Sequence, residues 1–294
     1  MTVIDNLSGG RKKFIEPHLG SSQFKFHEAD VRDSDAMKLL LHPKIDRVYQ
    51  LAANEDISRG VEDPTLDFEH SIKATFSILQ AIRTHGIKKL FYTSGSGVYG
   101  ERAVKFVAET EGPLEPVSMY GASKLSAEAL VCCFAHLYDF QAFIVRPANI
   151  IGPRVTHGVV FDFVRRLKKD PSQLTILGDG KQSKAYLHVD DVIDAFLLIQ
   201  KKAKGQVSFF NLSSNTFINV NGIADEVLKG MALKKPKRTH TGGRGGWKGD
   251  VPIVRLYNTR LNKLGWKPRY TSRQAVQATV KSLLTDSAFV LEGK

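Results

Sequence analysis

The sequence predicts an α/β protein: a doubly wound parallel sheet over residues 1–152, to which some later segments return, followed by residues 153–294 as mainly a smaller mixed α/β lobe. Through the first half, short β-branched or aromatic runs alternate with stretches of helical periodicity, the pattern of strand–helix–strand crossovers. From Gly152 onwards this loosens into helices separated by short strands and glycine-rich turns. The charge divides at the same place: residues 1–150 carry 17 Lys and Arg against 19 Asp and Glu, whereas residues 151–294 carry 25 against 11.

Taken in order, the strands are expected at Thr2–Ile4, Phe24–Phe26, Arg47–Leu51, Lys89–Tyr92 and Ala142–Val145. Between them lie helices near Ser34–Leu41, Pro64–Thr84 and Ser123–Leu137, the second with an expected core stripe at Phe68, Ile72, Phe76, Leu79 and Ile82. The later lobe offers helices at Phe161–Lys168, Asp190–Lys202 and Val220–Leu228, and Thr241–Gly246 reads as a mobile loop. A doubly wound sheet binds its ligand at the carboxyl ends of its strands, so the residues that follow each strand are the candidates for chemistry.

Composition narrows the class. An apolar content of 42% in 294 residues is that of a folded chain. The longest apolar runs, such as Ala142–Val145 and Ala195–Ile199, fall far short of the roughly 20 residues that cross a bilayer. With no export leader either, no membrane association and a cytoplasmic location are expected. Cys132 and Cys133 are neighbours in a helix, where their side chains diverge, so no disulfide between them is expected. Thirteen positive charges lie between Lys229 and Arg273, which suits a solvated basic face or a site for an anionic ligand such as a nucleotide diphosphate. No aromatic–basic motif accompanies them, so nucleic acid is not an expected partner. No metal site is expected.

The strongest local signal joins two segments. The strand ending at Thr93 runs into Ser94-Gly95-Ser96-Gly97-Val98-Tyr99-Gly100, and about twenty residues later Tyr120-Gly121-Ala122-Ser123-Lys124 opens a helix. Positions i and i+4 share a helical face, so Lys124 can approach the Tyr120 hydroxyl and favour its tyrosinate, a usable base. The spacing alone is weak, since eight tyrosines in a lysine-rich chain give about one such match by chance. The Ser/Gly strand end before it supplies the weight.

With these motifs the chain resembles the extended short-chain dehydrogenases/reductases of the NAD-dependent nucleotide-sugar epimerase and dehydratase family, over nearly its whole length. The resemblance implies a Rossmann-like fold, NAD as cofactor, a nucleotide-sugar substrate and a homodimer formed through the helices at Pro64–Thr84 and Ser123–Leu137. It implies that Tyr120 and Lys124 are catalytic, with Lys124 also on the cofactor ribose. Val3-Ile4-Asp5-Asn6-Leu7-Ser8 is similar to the strand end whose Asp receives the adenosine ribose, placing Asp5 and Asn6 on the cofactor. Ala29-Asp30-Val31-Arg32-Asp33 resembles the turn at adenine, which adds Asp30 and Val31, and Leu51-Ala52-Ala53 resembles the strand end beneath the cofactor. Arg146-Pro147-Ala148-Asn149-Ile150-Ile151-Gly152-Pro153-Arg154 matches the stretch that meets the sugar nucleotide, giving Asn149 and Arg154. Leu177-Gly178-Asp179-Gly180 and Tyr186-Leu187-His188-Val189-Asp190-Asp191 are also typical; His188 is expected to be structural.

The departures are as informative. Such proteins begin with a strand and a Gly-x-x-Gly-x-x-Gly turn whose amides hold the pyrophosphate. This chain starts almost at the second strand, so roughly 25 residues of the family pattern are absent. The expectation is that the sheet has a central gap, and that either Met1 is not the natural start or the protein is an unusual remnant of the family pattern. The family's Ser/Thr before the tyrosine falls at Gly95, so Ser96, a catalytic candidate, and Ser94 are the hydroxyls left to meet substrate. A dehydratase's acidic pair falls at Ser96 and Gly97, which argues for epimerisation, at C4 of a UDP-hexose such as UDP-glucose. A chain keeping the nucleotide-sugar lobe without redox chemistry is the alternative. Lys184 stands where many members place an arginine on the substrate diphosphate, and Trp247 stands where another does, as packing or as a wall of the nucleotide site.

Overall fold

The computed structural model describes residues 1–54 and 57–286. The chain opens with β1 (Thr2–Asp5), β2 (Lys25–Glu28) and helix α1 (Ser34–Leu40), which starts where the Asp33 carboxylate accepts hydrogen bonds from the amides of Asp35 and Ala36. Next come β3 (Val48–Gln50), α2 (Arg59–Glu62), α3 (Pro64–Asp67), α4 (Ala74–His85) and β4 (Lys89–Thr93). A short β5 (Phe106–Val107) leads to α5 (Met119–Tyr138), capped by Ser118, then β6 (Gln141–Pro147) and β7 (Asn149–Ile151). After α6 (Val159–Lys169), β8 (Gln173–Ile176), β9 (Ser183–Lys184) and β10 (Tyr186–His188), helix α7 (Val189–Lys202) runs into β11 (Val207–Leu212). The chain closes with β12 (Ile218–Asn219), α8 (Val220–Gly230), β13 (Lys237–His240), β14 (Arg255–Leu256), α9 (Thr259–Lys263) and α10 (Ser272–Thr285), the last begun by a capping box between Thr271 and Gln274.

Four parallel strands in the order β11-β6-β4-β3 form the main sheet, with Leu90 opposite Ala142 and Phe143 opposite Ser208. Alternate residues go to opposite faces. Leu90, Tyr92, Ala142 and Ile144 pack with α1, α4 and α5, while Phe91, Phe143 and Val145 pack with α7 and α9. Burial on both faces explains why these strands read as continuous apolar runs. A separate core in the later lobe gathers Phe161, Leu167, Ile176, Ile223, Val227 and Val280.

Strands β1 and β2 pair with each other in parallel but lie outside the main sheet. Among the described residues no strand bridges β1 to β3, so the sheet is interrupted where the sequence predicts a gap. Ile4 and Val31 nevertheless pack against the core that α1 shares with α4.

Two expectations are corrected. The predicted single helix Pro64–Thr84 is broken, because a π-helical turn, Phe68–Lys73, separates α3 from α4. Its wider turn re-phases the helix. The inward face becomes Asp67, Ser71, Thr75, Ile78, Leu79 and Ile82, while Phe68 and Phe76, expected in the core, are 49% and 42% exposed. The predicted mobile loop Thr241–Gly246 is tied at several points: the Thr241 amide donates to Ile176, its hydroxyl accepts from Gly178, and the Gly246 amide donates to Asp250.

Candidate active site

The end of β4 and the start of α5 meet backbone to backbone. A β-carbon at Gly121 would lie 2.6 Å from the Gly97 carbonyl oxygen, so this approach requires the glycine. It brings Tyr120, in the first turn of α5, over the loop that follows β4. A β-carbon at Gly95 would lie 3.6 Å from Cε1 and 3.8 Å from the hydroxyl of Tyr120, so position 95 does face the phenol, as the alignment of motifs predicts, but offers it no hydroxyl.

One turn further on, the buried Lys124 donates from Nζ to the Thr93 carbonyl at 2.8 Å, with Nζ 5.3 Å from the Tyr92 ring centre and 5.6 Å from that of Tyr120. The predicted effect of this lysine on the tyrosine is not what the structure shows. Burial, with the charge of Asp67 adding to it, pushes the Tyr120 phenol up to about 12. Burial also pulls the Lys124 ammonium down to about 8, against the opposing pull of Asp67 and Glu128. The pair is in place, yet in the protein alone the phenol holds its proton.

The serines part company. Ser94 is buried and donates to the Glu128 carboxylate, which also receives a two-pronged bond from Arg146 at 2.9 and 2.6 Å. Arg146 donates further to the Tyr99 hydroxyl at 2.9 Å, and that hydroxyl donates to Asn211 at 2.7 Å. Ser94 therefore belongs to a buried network that fastens β4, α5, β6 and β11 together, and is not offered to a ligand as predicted. Ser96 is half-buried on the loop beside Gly95. Sequence reasoning missed Glu128 and its partners because only the crossing of α5 over β6 brings 128 to 146.

At the other candidate positions, Asp5 accepts from the Leu7 amide at 2.7 Å, and the Gly10 backbone folds close over its second oxygen. Asn6 donates to Asp30 at 3.0 Å, and Arg32 grips both Asp30 oxygens at 2.9 and 2.6 Å, holding that carboxyl well below its usual range. Asp30 thus has internal partners already. Val31 is half-buried beneath it, while Leu51 and Ala52 are exposed and Ala53 half-exposed at the end of β3.

In the later lobe Lys184 forms an ion pair with the buried Asp250 at 2.6 Å, and its Nζ lies 5.5 Å from the centre of the Trp247 ring, which is 41% exposed. The lysine predicted to meet a diphosphate is thus already neutralised by a carboxylate. Arg154, with a left-handed φ of 64°, donates to the Phe14 carbonyl at 2.8 Å, clasping the segment after β1 rather than standing free. Asn149 lies beside the buried Tyr186 phenol, which burial pushes up to about 12. His188 accepts from the Asp190 amide at 3.3 Å as the cap of α7 and stacks on Tyr270, with ring centres 4.4 Å apart.

A parallel sheet with a Tyr–Lys pair at the carboxyl end of a central strand defines a Rossmann-like protein of the short-chain dehydrogenase/reductase kind. The chain belongs to the NAD dependent epimerase/dehydratase family, whose model matches residues 1–213. It is 30% identical over 284 residues to a UDP-glucose 4-epimerase of Mycolicibacterium smegmatis, covering 95% of this chain and 88% of that one. It is 26% identical over 277 residues to the dTDP-D-glucose 4,6-dehydratase of Mus musculus, covering 92% and 76%. Its fold superposes with a TM-score of 0.83, at 28% identity and over 97% of this chain and 90% of that one, on the UDP-glucose 4-epimerase of Thermotoga maritima crystallised with UDP-glucose. No described helix is long and apolar enough to cross a membrane.

Proposed function

We propose that this protein epimerises a nucleotide sugar at C4, most simply a UDP-hexose of the UDP-glucose/UDP-galactose pair, with NAD as a retained cofactor. The observation that carries the reading is the Tyr120–Lys124 pair packed against Gly95 at the end of β4. Epimerisation is favoured over dehydration because the loop Ser94–Gly100 has no carboxylate to move protons at neighbouring carbons. The residues present fit two ends of the cofactor: Asp5, Asn6, Asp30 and Val31 for the adenosine, and Leu51–Ala53 with Tyr120 and Lys124 for the reacting end. Among the described residues there is no glycine-rich turn opening a helix after a strand to match the pyrophosphate.

In this reading Tyr120, as the phenolate, takes the proton of the sugar 4-hydroxyl as the C4 hydrogen leaves as hydride. Bound in oxidised form, NAD supplies the hydride acceptor and a positive charge that brings the phenol down from its high resting value. Inversion would be completed, with no net oxidation, when the hydride returned to C4 on the opposite face of the 4-keto sugar and Tyr120 gave the proton back to the C4 oxygen. Lys124 holds the cofactor ribose and adds positive charge beside the phenol. Ser96, the half-buried one of the two serines that flank Gly95, orients the sugar, and Asn149, Arg154, Lys184 and Trp247 form the nucleotide end of the site. Arg154 and Lys184 must then exchange their present partners, Phe14 and Asp250, for phosphate oxygens.

The test is to denature the purified protein, assay for released NAD(H), and follow UDP-galactose conversion with and without Tyr120→Phe. Bound cofactor and a loss of roughly 10²–10⁴-fold in kcat in the variant are expected, the range for a principal acid/base group. A protein that holds UDP but neither retains nor takes up NAD would instead be a nucleotide-sugar-binding protein, a reading favoured by Gly95. The exposed Phe76 on α4 and Leu137 on α5 suit a homodimer through these helices.

A further inference from the structure

Among the described residues two carboxylates act on Lys124, Glu128 and Asp67, and of these Asp67 has the more unusual setting. It ends α3, is fully buried, and receives a hydrogen bond at Oδ1 from Asn54 at 3.0 Å, while its Oδ2 has no hydrogen-bond partner among the described residues. A buried carboxylate oxygen with no donor is costly unless a counter-charge is near; burial accordingly raises the proton affinity of Asp67, against the opposing pull of the Asn54 hydrogen bond, His70 and Lys124. Space has been cleared for it, since a β-carbon at Gly60 would lie 2.1 Å from Oδ2. Helix α3 packs against α5, and the charge of Asp67 acts on both Lys124 and Tyr120.

Among the described residues, the charged and titratable groups that act on the lysine are these. From β4 come the Thr93 carbonyl, which accepts one of its three N–H bonds, and the neutral Tyr92 phenol, raised by burial. From α5 come Tyr120 itself and Glu128, but Glu128 is already claimed by Arg146 and Ser94. His70, on the π turn, is pushed down by burial and is neutral at pH 7. Among the described residues, Asp67 is left as the negative charge not committed to another cation.

We propose that Asp67 is a positioning residue for the candidate catalytic pair: its carboxylate, held by Asn54 and given room by Gly60, is the counter-charge that keeps Lys124 an ammonium beside Tyr120. The inference rests on the reading of Tyr120 and Lys124 as that pair, and it gives Asp67 opposite effects on the two. It holds the proton on the lysine and also holds the proton on the tyrosine, so hydroxyl deprotonation waits for the positive charge of the oxidised cofactor. An empty site is thereby kept from presenting a reactive phenolate.

The experiment is a titration of the cofactor-free protein with ¹³C-labelled lysine, following the Cε resonance that disappears in Lys124→Arg. The wild-type midpoint is expected near the value of about 8 given above. In Asp67→Asn, which keeps the shape and one acceptor, it should fall by about one pH unit or more as the lysine loses its counter-charge. Should that variant fail to fold, Asn54→Ala, which removes the donor holding the carboxylate, should move the midpoint in the same direction by less. A midpoint unchanged in a folded variant overturns the role of Asp67 whatever the protein's activity. A shifted midpoint in a protein that converts no UDP-sugar supports it and counts only against the reading of the substrate. A purely structural Asp67 would alter the melting temperature and leave the lysine titration where it was.

Discussion

The residue that distinguishes this site is a missing side chain. Gly95 has an extended φ of −174°, and its virtual β-carbon makes only ordinary contacts with Tyr120, so Gly95→Ser can be accommodated without strain. The added hydroxyl should reach the space where a sugar oxygen meets the phenol. An increase of at least about tenfold in kcat for UDP-galactose is expected, on the scale of a single well-placed donor; a progress curve identical to wild type would show that Ser96 already does this work. Tyr120 and Lys124 were legible because their relation is written locally, four positions apart on one helix. The proton affinity of Tyr120 was not, because it is set by desolvation and by Asp67, 53 positions earlier in the chain.

At the scale of elements, the Glu128–Arg146 pair is the principal polar fastening of the sheet to α5. Both side chains are below 5% exposed, and with Ser94, Tyr99 and Asn211 they link four elements. Removing one partner leaves the other charge buried without its mate. Glu128→Ala should therefore lower stability by about 3–5 kcal/mol in urea unfolding, whereas Glu128→Gln, which retains hydrogen-bonding capacity, should lose less. Strands β4 and β6 were readable because strands buried on both faces announce themselves as apolar runs, and β1, β2 and β3, which are only partly buried, through their β-branched and aromatic residues. The π turn was not, since the spacing of Phe68, Ile72 and Phe76 describes an unbroken helix equally well. The inward turn of Asp67 and Ser71 depends on α5 and α2, which no local pattern of α3 encodes.

For the whole molecule, the re-phasing has an outward result, since it leaves Phe68 and Phe76 at the surface, with Phe76 edge-on to Phe134 and Phe134 next to Tyr138. If this face joins two copies, wild type should sediment as a dimer and Leu137→Asp with Phe76→Asp as a monomer. A wild-type monomer at tens of micromolar would reject the pairing. The division near residue 152 came with the expectation that some later segments return to the first domain, but it did not name β11, far downstream, as the strand that lies beside β6 in the main sheet. Parallel neighbours are joined by long crossovers, and which strands pair is decided by packing that local patterns do not record.

The interruption between β1 and β3 has a thermodynamic consequence. The β1–β2 unit is attached by side-chain packing, by α1 against α4 and by the Arg154–Phe14 hydrogen bond, with no backbone ladder to the rest among the described residues. It should therefore open as its own cooperative unit, with amides of Val3 and Ile4 exchanging with solvent well before those of Phe91 and Phe143. Asp5 and Asp30 lie on that unit. Adenosine recognition would then be linked to local folding, so that a dinucleotide slows exchange across β1 and β2 and binds with a larger negative heat-capacity change than contact area alone provides. Equal protection of the two sets of amides would mean that the halves of the fold melt together.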